Sequence, residues 1–322
     1  MKLAHTGCVQ VFMDPHRLRA YLLLLIVSAI WGVAGPIIKF TLGGISALPF
    51  LTYRFFLSSL AALFSFLILK PHLPKDKKVL LALFLYGFLN STVTLGLLFF
   101  GLERTTVLDM TLITTMTPLF ISFFGAKFLH EHITSREKIG MGIALLGTIV
   151  ILFEPILKAT NGLPQFSGNL LIFIYLFTTS AATVLAKKLL RADVSPLTMV
   201  NFSFTVGFLS FLIPTFLFYG LKMFLFDIKN LALSYHLGVV YMALLSGNLA
   251  YFLSNKAQKT IEISEASLFS YLYPLFAAPL AVFWLKEIIT PIFILGTTII
   301  LAGIVLAEYK RRRPLHPLHK HT

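Results

Sequence analysis

The stretch Tyr273-Pro274-Leu275-Phe276, running through Trp284-Leu285-Lys286-Glu287 and past Gly296 to Gly303, decides the fold because it occurs twice. Its twin is Thr117-Pro118-Leu119-Phe120, running to Phe128-Leu129-His130-Glu131 and past Gly140 to Gly147. A constant offset of 156 residues carries Pro118 onto Pro274, Glu131 onto Glu287, Gly140 onto Gly296 and Gly147 onto Gly303. Four landmarks in register without a gap imply an internal duplication.

Composition names the solvent of this duplicated unit. Of 322 residues, 57% are apolar and 12% charged, and the mean hydropathy is +0.86; a soluble domain carries about 45–50% and about 25%. Too little polar surface exists to coat a globule, so the chain belongs in lipid. The single cysteine, Cys8, allows neither an intrachain disulfide nor a thiol set for a metal. The net charge of +14 sits in short connections between apolar runs, which marks topology and not a nucleic-acid face.

Residues 1–19 are polar and basic, without the short apolar region and small-residue cleavage site of a removable signal peptide; Met1 and Met13 both stand open as the start. Ten apolar runs follow, near 20–39, 47–69, 79–101, 105–128, 139–157, 168–188, 196–220, 234–254, 264–285 and 289–308. Each approaches the roughly 20 residues needed to cross a bilayer as a helix. The expected fold class is an all-α polytopic membrane protein of about ten transmembrane helices. The expected division is an N-terminal segment 1–19, a first five-helix repeat 20–157, a linker 158–167, a second repeat 168–309 and a basic tail 310–322.

Basic residues are retained on the cytoplasmic side. With the N-terminus inside, the inner segments hold 20 Lys and Arg, the outer segments hold 6, and Arg54 remains within a span. Both termini are therefore expected in the cytoplasm of a cell (inner) membrane. Five spans is an odd number, so the second repeat must cross in the opposite sense. Inverted repeats are characteristic of many secondary transporters, whose substrate site lies between the halves near the midplane.

A Pro-Leu-Phe in mid-helix, a helix ending in Leu-x-Glu, a short connection and a Gly-bearing span, closed in the second copy by Leu301-Ala302-Gly303-Ile304-Val305-Leu306, resemble the EamA-type cassette of the drug/metabolite transporter superfamily. Ala29-Ile30-Trp31-Gly32 and Tyr53-Arg54-Phe55 extend the resemblance over about residues 20–309. It implies a ten-helix carrier with a central cavity and alternating access, moving small metabolites, often outward. Many members carry Glu before the second-copy proline, where this chain has Tyr273.

Ionisable residues in hydrocarbon are costly and rare, which makes each a functional candidate. Arg54 could bind a carboxylate or phosphate through its planar fork, or pair with a neighbouring carbonyl to fix packing. Asp109 and Glu265 share the 156-residue offset and are candidate coupling groups, although an acid in the first turn of a helix also simply favours the helix dipole. Asn90-Ser91-Thr92 and Ser246-Gly247-Asn248 coincide under the same offset, as polar clusters in mid-span. The candidate cavity residues are Trp31, Arg54, Asn90, Thr94, Thr111, Thr115, Pro118, Tyr175, Asn248, Tyr251, Ser267, Ser270, Tyr271 and Pro274, on the first, third, fourth, sixth, eighth and ninth spans besides Arg54 of the second. Glu131 and Glu287 read as structural, and His130-Glu131-His132 lacks the spacing of a metal-binding helix face.

No phosphate-binding loop, catalytic set or cofactor motif is present in the sequence. The expectation is a secondary carrier, not an enzyme, without cofactor or metal, for a small organic metabolite with an amino acid first. Its other partner is membrane lipid, and no nucleic acid is expected. A lipid-linked carrier translocase of the same fold is the alternative, and an intramembrane enzyme stands further behind.

Overall fold

The computed structural model describes residues 15–69, 73–130, 134–157 and 162–308. Cys8, Glu131, His132 and the basic tail lie outside the described residues. The chain forms α1 (Pro15–Leu42), α2 (Ala47–Leu69), α3 (Lys77–Arg104), α4 (Val107–Leu129), α5 (Ser135–Leu157), α6 (Gly162–Arg191), α7 (Pro196–Tyr219), α8 (Leu233–Gln258), α9 (Ile263–Phe283) and α10 (Pro291–Glu308). Among the described residues, α1 to α9 are each long and apolar enough to cross a membrane, and α10 runs to the last described residue. The protein is an all-α polytopic membrane protein built from two inverted five-helix repeats. A short helix, Leu221–Asn230, connects α7 to α8.

Local chemistry sets the helix starts. Asp76, Thr106 and Ser195 accept from the backbone N–H groups of Lys78, Asp109 and Thr198, and Pro196 occupies the first turn of α7. Hydropathy draws the sixth span from residue 168, but α6 begins at Gly162. Its polar opening, Gly162 to Ser167, is helical because Pro164 suits a first turn, where a missing N–H costs no hydrogen bond.

The duplication is visible in the irregular backbone. The polar cluster at Asn90 lies in a π-helical segment, Phe88–Thr94, and its counterpart at Ser246 lies in another, Tyr241–Leu249. A wide turn spoils the regular ladder and leaves carbonyls to be satisfied from elsewhere. Ser58 Oγ donates to Ala243 O at 3.1 Å and Trp31 Nε1 to Ser246 O at 2.9 Å. Each proline helix is broken just before its proline, α4 after Thr114 and α9 in the tight segment Leu268–Leu272. α4 is capped by the left-handed His130 at φ 59°, and the turn that follows α9 holds the left-handed Lys286 at φ 59°, again 156 apart.

The four repeated glycines meet each other. Gly140 faces Gly303 and Gly147 faces Gly296, an antiparallel crossing of α5 and α10 in which equivalent residues exchange places. A Cβ on Gly303 would stand 2.5 Å from the Gly140 carbonyl oxygen, and one on Gly147 would stand 2.8 Å from that of Gly296. Backbones this close exclude any side chain, as small-residue seams between membrane helices require. Outside the seam the helices present large apolar side chains such as Leu63, Phe64, Leu67 and Ile68, which are exposed because lipid is their solvent.

Gly303→Val should therefore overpack the α5–α10 seam, costing about 1–3 kcal/mol, and lower the melting temperature in detergent. Gly142→Val is the control, because nothing lies within 4 Å of a Cβ there. Equal melting of the two variants would remove the seam from the argument.

Candidate functional site

Between the repeats lies a central cavity of about 1330 Å³, counting its mouth. Along α1 its wall extends from Leu24 to Ile38, about 21 Å at 1.5 Å per residue. Helices α1, α3, α4, α6, α8 and α9 contribute most of the wall, and α2 contributes Arg54.

Of the residues singled out in the sequence, Trp31, Arg54, Asn90, Tyr175, Tyr251, Ser267 and Ser270 line the cavity. Thr94, Thr111, Thr115, Pro118, Asn248, Tyr271 and Pro274 do not, and helical geometry gives the reason. Thr111, Thr115 and Pro118 are spaced four and three apart and share one stripe of α4, which faces away. The neighbouring stripe, Met110, Thr114, Thr117 and Ile121, forms the wall. The Thr115 hydroxyl turns back onto the Thr111 carbonyl at 2.7 Å. On α9 the lining stripe is Ser267, Ser270 and Tyr273, beside which Tyr271 and Pro274 fall on another side. Asn248 is occupied elsewhere, donating from Nδ2 to Ser58 O at 3.2 Å.

The aromatic part of the wall is assembled from different spans. Trp31 meets Tyr251 edge-on at 5.0 Å and Tyr273 at 6.3 Å between ring centroids. Asn90 Nδ2 donates to Ser203 Oγ at 3.3 Å, which ties α3 to α7 behind the wall. Among the lining residues Arg54 is the only charged side chain.

Asp109 and Glu265 lie at helix starts and not in the wall. Asp109 Oδ2 accepts from Gln165 Nε2 at 2.8 Å and Asn169 Nδ2 at 3.0 Å, two residues one turn apart on α6. Glu265 Oε1 accepts from Arg17 Nη2 at 2.6 Å and also from Tyr21 Oη, again one turn apart, on α1. The two carboxylates are thus held in matching places by unlike partners, neutral amides in one repeat and a cation with a phenol in the other.

Each end of the cavity carries a lysine. Lys39, next to the lining residue Ile38, donates to Leu102 O at 2.9 Å and Thr105 O at 2.6 Å, where α3 turns into α4. Lys187, next to the lining residue Ala186, donates to Gln258 O at 2.5 Å and Ile261 O at 2.7 Å, where α8 turns into α9. Leu102 and Thr105 map onto Gln258 and Ile261 at the 156-residue offset, and Lys39 maps onto Lys187 at an offset of 148. The changed offset hides this pair in sequence, because the connection between α1 and α3 differs in length from that between α6 and α8.

Beside the Lys39 end, Glu287 accepts from the N–H groups of Val107 at 2.7 Å and Leu108 at 2.8 Å, closing the start of α4. The left-handed turn at Lys286 aims it there. Burial pushes the Glu287 carboxyl above its ordinary value, and the two N–H groups and Lys39 offset part of that rise.

Comparison with known proteins is consistent with this geometry. The model of the EamA-like transporter family matches the chain twice, at residues 18–153 and 166–309. The "Uncharacterized transporter YdfC" of Bacillus subtilis is 26% identical over 293 residues, 88% of this chain and 89% of the relative. A "Probable amino-acid metabolite efflux pump" of Salmonella typhimurium is 23% identical over 287 residues, 88% of this chain and 93% of the relative. One solved crystal structure shares the fold with a TM-score of 0.63 at 16% identity, over 89% of this chain and 97% of that one.

A raised carboxyl binds its proton more tightly in the folded chain than in the unfolded one. Stability relative to Glu287→Gln should therefore fall as pH rises above the ordinary glutamate value of 4.5. Melting temperatures of the two proteins in detergent between about pH 4 and about pH 8 measure the difference. A flat difference would show that Glu287 has the same proton affinity in both states.

Proposed function

The chain belongs to the EamA-like transporter family, and on that premise we propose that it is a secondary carrier, moving a small organic metabolite outward by alternating access. It sits in the cell (inner) membrane with both termini in the cytoplasm, works without ATP and catalyses no chemical change. Relatives named as amino-acid metabolite efflux pumps support export and a solute of amino-acid size.

The observation that carries this reading is the pair of equivalent lysines at opposite ends of one cavity. Helix α1 packs mainly on α8 and α9, and α6 packs mainly on α3 and α4. Lys39 therefore joins the α1 side to the α3–α4 turn across the outer end, and Lys187 joins the α6 side to the α8–α9 turn across the inner end. A carrier must open one end while the other stays shut, and two equivalent latches on opposite faces supply that choice. Each latch also satisfies helix-end carbonyls that lipid cannot serve, so opening exchanges those bonds for water at the interface. Asp109 and Glu265, held away from the cavity wall, set helix positions in this scheme.

Lys39→Met and Lys187→Met should bias the carrier in opposite directions. Loss of charge-assisted hydrogen bonds worth about 1.5–3 kcal/mol shifts the populations by roughly tenfold. In protein lacking Cys8, Leu98→Cys and Thr183→Cys report on the two ends through an impermeant maleimide added from either side. Lys39→Met should raise labelling of the former from outside, and Lys187→Met that of the latter from inside. Parallel changes at both reporters would sink the latch reading. Solute counterflow in proteoliposomes tests transport itself, and product formation without counterflow would replace the carrier by an enzyme.

A further inference from the structure

Arg54 stands seven residues into α2 and is fully buried. None of its three guanidinium nitrogens has a hydrogen-bond partner among the described residues. Its surroundings are apolar or neutral: the rings of Phe55 and Phe99 lie 5.1 Å from the guanidinium carbon. Gly247, in the π-helical segment of α8, lies against the guanidinium, a Cβ there standing 3.4 Å from Nη2. The ion pairs among the described residues, Arg17 with Glu265 and Lys259 with Asp193, lie elsewhere.

An arginine keeps its charge under nearly all conditions, and an unpaired charge in a protein interior costs several kcal/mol. The two ring contacts offset only part, about 1–2 kcal/mol each at best. Five donors in a rigid fork with nothing to receive them form one half of a bidentate carboxylate site. Among the described residues no Asp or Glu lines the cavity, so that wall offers an ammonium group hydroxyls, amides and ring faces.

We propose that the carried solute is an organic anion whose carboxylate docks on Arg54, with its apolar body against Trp31, Tyr251 and Tyr273, and that a net anion is preferred to the matching zwitterion. The inference rests on the carrier reading and adds the chemical class of the solute. In the conformation described, Arg54 is closed off from water, so docking requires the wall around it to part. The carboxylate then supplies the countercharge that the protein omits.

Four probes on one skeleton separate the contributions: 3-phenylpropionate, 3-phenylpropionamide, phenylalanine and 2-phenylethylamine, each titrated into purified protein while melting is followed. 3-Phenylpropionate should bind roughly tenfold or more tightly than its amide, the value of one charge-assisted hydrogen bond, and more tightly than phenylalanine. The amine should give no shift. Arg54→Gln should abolish the preference for acid over amide, and Arg54→Lys should retain part of it. The acid-to-amide ratio in unaltered protein decides the matter even if the variants fail to fold. Equal binding of acid and amide, tighter binding of the zwitterion, or no shift with the acid would overturn the proposal. So would chloride alone reproducing the acid's shift, which would make Arg54 an inorganic-anion site. Counterflow of the same probes separates the two readings: transport indifferent to the carboxylate removes the anion class and leaves the carrier, whereas absence of counterflow with intact acid binding removes the carrier and leaves the site.

Discussion

Lipid offers no hydrogen-bond partner to a peptide group, and most of the specific contacts in this protein answer that constraint. Regular helix satisfies itself, so the demands fall on ends and breaks. At the start of α4 the free N–H groups of Val107 and Leu108 are met by Glu287, carried in from the end of α9. At the ends of α3 and α8 the spare carbonyls are met by Lys39 and Lys187. Within α8 the carbonyls loosened by the π-helical turn are met by Ser58 and Trp31. Each contact joins two helices, so satisfying the backbone also fixes the arrangement of the bundle.

The same constraint couples architecture to movement. A helix end held by a side chain of another helix is a joint that opens when water reaches that end, because water replaces the partner. The two lysine joints lie at the two ends of the cavity, where the proposed carrier would admit water. The glycine seam between α5 and α10 differs in kind: it is backbone against backbone and lies apart from the cavity. A stiff seam and two exchangeable joints suit a protein that rocks around a fixed axis.

Arg54 stands outside this pattern, since its donors are buried and have no partner among the described residues. Asn90 is tied to Ser203 and Asp109 to α6; Asn255 Nδ2 and Gln258 Oε1 of the wall also lack a partner, but they are neutral, whereas Arg54 carries a charge. An unpaired charge at the wall of a cavity is the observation from which the proposed carboxylate site is argued.

The sequence by itself determined the fold: apolar length fixed the number of helices to within the tenth, and the 156-residue offset gave the duplication, whose odd span number forces inversion. It also brought out Arg54, Trp31, Tyr251 and the serines of α9, because polar or aromatic residues in mid-span are conspicuous against lipid-compatible neighbours. Which stripe of a helix faces the cavity was decided only in the tertiary structure. Thr111 and Thr114 are equally polar in sequence, and nothing in the sequence marks which of two neighbouring stripes packs against other helices and which faces the cavity. The pairing of Lys39 with Lys187 was equally hidden, since its offset differs from that of the cassette and its partners are carbonyls, which every residue has. Sequence specifies which groups need partners in a membrane; only packing decides which groups meet.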